Sequence, residues 1–215
     1  MTEQSSPRTT YRHGDLRRAL IDAGTDLARA GGPDAVVLRE VTRRAGVTPN
    51  AAYRHFTDKG ALLWAVSLAA QSRLAAAMED ELSAIAGDDG ARQNDATLAR
   101  ARLRAVGAGY LRFAQTEPGL FRTAFASHVD LRDASAGDSA GPHGRTPFQL
   151  LSDALDALVD AGALAADRRA GAEFVAWSSV HGLAMLVIDG PLRGLDTEQR
   201  LVAAQRLLEM VEKGI

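Results

Sequence analysis

Cysteine is absent from the 215 residues. Without it there is no disulfide framework, no thiolate zinc site, no iron–sulfur cluster and no thiol nucleophile, and sensing by thiol redox is excluded. Aromatic residues are scarce, with 2 Trp, 3 Tyr and 6 Phe, whereas sheets favour aromatic and β-branched residues. No run sustains the period-2 alternation of a strand. Long apolar runs are also missing. The longest uncharged one, 174–188, has 15 residues and includes His181 and two serines, against about 20 needed to cross a bilayer. Lysine is nearly absent: the 25 basic residues are 23 Arg and 2 Lys. With 27 acidic residues they leave a net charge of −2, which excludes both a uniformly basic nucleic-acid coat and an acidic tail protein. Residues 1–10 lack the apolar segment of a secretory signal. The expectation is a soluble, cytoplasmic protein with no membrane partner.

Alanine, by contrast, supplies 41 residues, and 46% of the chain is apolar. Ala is the best helix former, so the composition predicts an all-α fold with a sizeable core. After an arm over 1–10, Leu16, Leu20, Ala23 and Leu27 recur at spacings of 4, 3 and 4, the face of a helix that ends at Gly31, Gly32 and Pro33. A short helix follows over 38–45 and stops at Gly46. Thr48 and Pro49 then read as an N-cap and first helical residue, opening a third helix over about 49–55. Thr57 and Asp58 cap a long helix running to about Ile85. Further helices are expected near 97–115, 118–127, 147–162, 167–188 and 196–213, about nine in all, with a polar break at 87–95 and a loop over 130–146.

Residues 38–56 are the informative segment. Two short helices joined by a turn at Gly46, Val47 and Thr48 form a helix-turn-helix, with 16–27 as the supporting helix. From Arg8 to Lys59 there are 10 basic and 6 acidic residues, a net of +4, so the rest of the chain carries −6. Cations gathered at one end of a molecule gain affinity for DNA by releasing its counterions. Singly, these residues also have plain readings. Phe56 is a core aromatic. Arg43, Arg44 and Arg54 suit a solvated face, Lys59 suits a helix start, and Asn50 suits an exposed first turn.

Taken together, Tyr11-Arg12-His13-Gly14-Asp15-Leu16, Leu38-Arg39-Glu40-Val41, Ala45-Gly46-Val47-Thr48 and Tyr53-Arg54-His55-Phe56, with Lys59, Leu62 and Leu63, resemble the DNA-binding domain of the TetR family of transcriptional regulators. The resemblance covers about 14–74. Trp177, His181 and Gly182, with Glu117-Pro118-Gly119-Leu120-Phe121 upstream, resemble the Trp-x-x-x-His-Gly subgroup of ligand domains. It implies a DNA-binding domain over 11–60 and a ligand-binding and dimerisation domain over 61–215. It also implies a dimeric repressor on a palindromic double-stranded operator, released by a small-molecule effector, with no enzyme activity, cofactor or metal.

Position by position, the resemblance makes Tyr53, His55, Lys59 and Thr48 phosphate contacts. Pro49, Asn50 and Ala51 fall near base edges, and Arg39 at a guanine-reading position. Thr42 and Ala52 depart from the pattern: the first adds a hydroxyl at the helix crossing, the second predicts looser packing. The ligand pocket is expected among Trp64, Tyr110, Phe113, Phe121, Phe125, Trp177 and His181, with Phe148 and Phe174 nearby; each of these also reads as core. For the homodimer, the last two helices offer two stripes, Leu201, Ala204, Leu208 and Val211, and Ala172, Ala176, Ser179 and Leu183. Both could instead face their own core. A ligand that prefers the wrong half-site spacing would weaken DNA binding through tilt of the helix that begins after Asp58.

An enzyme is the rival class, as is a helical small-molecule-binding protein in which the helix-turn-helix is only structural. The five histidines show no His-x-x-x-His or His-Glu-x-x-His spacing, and no phosphate-binding glycine loop follows a strand. Carboxylate pairs such as Asp88-Asp89 lie in polar loops.

Overall fold

The computed structural model describes residues 13–86, 95–126 and 137–215. The expected arm over 1–10, most of the break at 87–95 and part of the loop over 130–146 lie outside them. Among the described residues there are nine α-helices and no strand: α1 His13–Gly31, α2 Leu38–Arg44, α3 Pro49–Ala52, α4 Lys59–Ala86, α5 Asp95–Thr116, α6 Pro118–Ala124, α7 Pro147–Asp160, α8 Ala172–Ile188 and α9 Thr197–Gly214.

The head is α1 to α3 with the start of α4. The face of α1 carrying Leu20, Ala23 and Leu27 is buried, and Val36, Val41, Ala52 and Phe56 close over it. The turn after α2 is a Schellman motif. Gly46 takes a positive φ of 68°, Gly46 N–H donates to the Arg43 carbonyl at 3.3 Å, and Val47 N–H donates to the Thr42 carbonyl at 3.0 Å. A residue with a side chain pays a steric penalty in that conformation, which is why glycine stands there. Thr42 is buried, and its hydroxyl is satisfied by the Arg39 carbonyl at 3.0 Å. Ala52 is also fully buried.

The third helix is shorter than expected. It ends at Ala52, and Tyr53 to His55 continue as turns, with His55 and Phe56 N–H groups both donating to the Ala52 carbonyl. Burial of Phe56 pulls the chain inward toward the next helix start. Thr48 occupies the N-cap position, yet its side chain makes no capping hydrogen bond. α4 is capped as expected, Ala61 N–H donating to Asp58 Oδ1 at 2.8 Å.

α4 is the spine, packing against α1 in the head and against α5, α6 and α7 in the body. Contrary to the expectation that nothing in the chain could span a membrane, Lys59–Ile85 has the length and apolarity of a span, with mean hydropathy 1.3 in its most apolar stretch. More than half of that stretch is buried, as in a core helix. α7 and α9 each begin with a capping box, Thr146 with Gln149 and Asp196 with Gln199.

Of the expected stripes on the last two helices, Leu201 lies outside, Ser179, Leu183 and Ala204 are half-buried, and the others turn inward. Ala172 and Ala176 are buried, Val211 is buried, and Leu208 faces an internal cavity. The apolar residues left outside are Phe174, Val175 and Leu186 on α8 and Leu201, Val202 and Met210 on α9. α8 is apolar nearly all round, so its periodicity does not say which side meets the core.

A candidate DNA-reading head and ligand cavity

In the head, Arg39, Thr48, Pro49, Asn50, Tyr53 and Lys59 are exposed, and Ala51 and His55 are half-buried. Tyr53 is 55% exposed, a wide opening for a phenol that core packing would otherwise claim. Apart from Arg39, on α2, these positions run from the end of the turn through α3 and the turns after it to the first residue of α4. Not every nearby cation is available. Glu40 accepts from Arg43 and lies 3.9 Å from Arg44, and Arg43 holds the Glu40 carboxyl below its ordinary range. The spacing of Glu40 from Arg43 and Arg44, three and four residues on a helix, was the signal for this. Among the described residues, Arg39, Arg54 and Lys59 have no ion pair. Arg17 lies over the Phe56 ring, 5.5 Å from its centroid.

In the body, the helices surround a cavity of about 180 Å³, walled by α4, α5, α7, α8 and α9. Of the expected pocket residues, Tyr110, Phe125 and Trp177 line it. Phe121 and His181 stand against those rings without lining the cavity: Phe121 is 5.3 Å from Tyr110, and His181 4.9 Å from Phe125. Phe113 is buried in the core and Trp64 is half-buried on α4, both away from the lining. Phe174 is exposed. Gln71, Met78 and Arg104 line the cavity without having been expected. Gln71 was signalled only as a polar residue in the apolar stretch of α4.

A hydrogen-bonded chain backs the cavity. Trp177 Nε1 donates to the Tyr110 hydroxyl at 3.1 Å, and that oxygen lies 2.7 Å from His181 Nδ1. An indole can only donate, so the phenol oxygen accepts from Trp177 and shares its second hydrogen bond with Nδ1. Burial pushes the Tyr110 pKa up and that of His181 down, so both stay neutral.

The short helix α6 joins these two regions. At its start, Arg29 of α1 pairs with Glu117 at 3.1 Å, and Gly119 lies directly against the Ala28 and Arg29 carbonyls. Within it, Phe121 enters the aromatic cluster, and Arg122 makes a two-pronged contact with Asp189 beyond α8. At its end, the Ala124 carbonyl accepts from Gln71. No group of His, Asp or Glu able to hold a metal is found among the described residues.

A helix-turn-helix with an exposed, basic face, carried on an all-helical body with an enclosed cavity, defines a DNA-binding transcriptional regulator. Residues 20–66 match the family model described as bacterial regulatory proteins, tetR family. Residues 103–211 match the model described as tetracyclin repressor-like, C-terminal domain. The chain belongs to the TetR family. Solved structures share the fold. A protein of unknown function from Rhodococcus sp. RHA1 is 25% identical, with 97% of this chain and 99% of that one covered and a TM-score of 0.70. A TetR transcriptional regulator from Rhodococcus sp. RHA1 is 16% identical, with coverage of 94% and 97% and a TM-score of 0.53. PfmR, a TetR family regulator from Thermus thermophilus, is 18% identical, with coverage of 91% and 98% and a TM-score of 0.51. No curated protein sequence matches the chain significantly. Regulators of this family bind DNA and small-molecule effectors and dimerise, and are typically not enzymes.

Proposed function

We propose that the protein is a dimeric repressor that leaves a palindromic operator when a small molecule fills the cavity of each subunit. The observation that carries this is the continuity of α4. Its first residue, Lys59, belongs to the DNA-facing set, and Gln71 and Met78 of the same helix line the cavity. A ligand that shifts α4 in the body moves the head with it, and by linkage its preference for one head position lowers DNA affinity equally. α6 supports the same reading, since it touches the end of α1 on one side and the cavity on the other.

In the head, Tyr53, His55, Lys59 and Thr48 hold phosphates, Pro49, Asn50 and Ala51 approach base edges, and Arg39 reaches a guanine from α2. Trp177 and His181 mark the ligand domain as one of the Trp-x-x-x-His-Gly subgroup. The homodimer forms through the outward apolar faces of α8 and α9. A cytoplasmic location follows from the DNA partner.

Fluorescence anisotropy on DNA from upstream of the coding region tests the head. Wild type should bind with a steep salt dependence. Tyr53→Ala and Lys59→Ala should each weaken binding about 5- to 30-fold, in keeping with a lost charge-assisted or phosphate hydrogen bond. Equal affinity of all three proteins would overturn the assignment.

A further inference from the structure

The polar atoms facing the cavity are few, and their orientation can be worked out. Gln71 is buried, 5% exposed, and lines the cavity. Its Nε2 donates to the Ala124 carbonyl at 2.9 Å, and the Ser67 hydroxyl donates to the same oxygen at 3.0 Å. Ala124 ends α6, where helical carbonyls lack partners along their own helix, so that oxygen takes donors and the carboxamide cannot be turned round. Gln71 Oε1 is therefore left without a hydrogen-bond partner among the described residues, on a side chain that borders the cavity.

The other polar groups are committed. Trp177 gives its proton to Tyr110, and the Tyr110 hydroxyl is bonded in turn to His181 Nδ1. Arg104 is held by Glu212 at 2.7 Å. Among the described residues, no carboxylate lines the cavity. Phe125 follows Ala124 directly and lies 6.1 Å from Trp177, which lies 5.9 Å from Phe148. The Gln71 end is thus aromatic, and Leu208 and Val211 make the α9 end aliphatic.

We propose that the cavity takes an uncharged, largely apolar molecule carrying a hydroxyl or N–H group, and that Gln71 Oε1 is the acceptor that selects it. This rests on the ligand-sensing reading above and names the class of ligand. An apolar molecule without a donor would cover Oε1 and leave it unsatisfied, which a site built around a polar group rejects. An anion would meet the carboxamide oxygen and would have to displace Glu212 from Arg104. A cation would be desolvated with no counter-charge. A flat ring with its hydroxyl at Gln71 and an alkyl tail toward α9 fits both ends.

Three probes with one body and different heads test this: 4-hexylphenol, its methyl ether 4-hexylanisole, and 4-hexylbenzoate, titrated at neutral pH into the full-length protein by calorimetry. In wild type the phenol should bind about tenfold tighter than the ether, and the benzoate weakest. Gln71→Met should bring phenol and ether to within about twofold, with the ether binding at least as tightly as it does to wild type. The wild-type comparison stands by itself should the variant fail to fold. Equal affinity of phenol and ether for wild type overturns the inference, as does an undiminished gap in folded Gln71→Met. So does tightest binding by the benzoate that is lost in Arg104→Ala. Absence of binding by all three, in protein that still binds DNA, instead overturns the ligand-sensing reading itself.

Discussion

Tyr110 serves two partners with one oxygen, accepting from Trp177 and sharing a hydrogen bond with His181 Nδ1. Its ring also sits edge-on to Phe121. Removal of the hydroxyl alone would leave the indole N–H and the imidazole Nδ1 in a mostly apolar surrounding without partners. Tyr110→Phe is therefore expected to lower stability by about 1–3 kcal/mol, the cost of unsatisfied buried groups, although the residue keeps its shape. Chemical denaturation measures it, and an unchanged midpoint would mean that water satisfies both groups. Tyr53, the other tyrosine assigned a role, behaves oppositely: its burial is so slight that truncation should leave stability almost untouched while affecting DNA.

At the scale of elements, α6 is tightly constrained. Gly119 lies so close to the Ala28 and Arg29 carbonyls of α1 that a Cβ there has no room. Backbone cannot yield as a side chain can, so Gly119→Ala should push α6 off α1 and cost about 1–3 kcal/mol. Thermal unfolding would show the loss, and wild-type stability would place α6 farther from α1 than it stands here.

Much of the element order was legible in the sequence. Leu16 to Leu27 marked α1, Gly46 marked the turn, and Asp58 marked the start of α4, because each signal is local. Where contacts are remote, the periodicity was silent. The small-residue stripe of α8 proved mostly inward because that helix has apolar residues on every side. The recognition helix closed early because Phe56 is drawn into the core. The role of Gln71 has no local signal, because its partner, the Ala124 carbonyl, is 53 residues away. Trp64 and Phe113 were apolar aromatics like those of the cavity, and nothing in composition separates a core ring from a lining ring.

The whole molecule presents an unusual outer surface. Phe174 is 56% exposed, Leu201 62% and Met210 58%, on two helices that pack together. Large exposed apolar side chains on two helices that pack together suit an association surface, and a face shared by two identical subunits closes by a two-fold axis. Leu201→Glu should place like charges across that axis and yield monomers by sedimentation velocity, with an unchanged helical signal in circular dichroism. DNA affinity should fall with it, because each half-site then stands alone. Persistence of the dimer would move the interface elsewhere.

The length of α4 between its two working points sets a scale for the whole device. Lys59 precedes Gln71 by twelve residues, a lever arm of about 18 Å at 1.5 Å per residue. Pivoted at the cavity, a tilt of about 10° sweeps the head through about 3 Å, and two heads moving apart in a symmetric pair separate by about 6 Å, nearly two base-pair steps of 3.4 Å. Under the proposed release, such a tilt would shift both reading heads by a step of the DNA ladder, out of register with grooves about 34–36 Å apart.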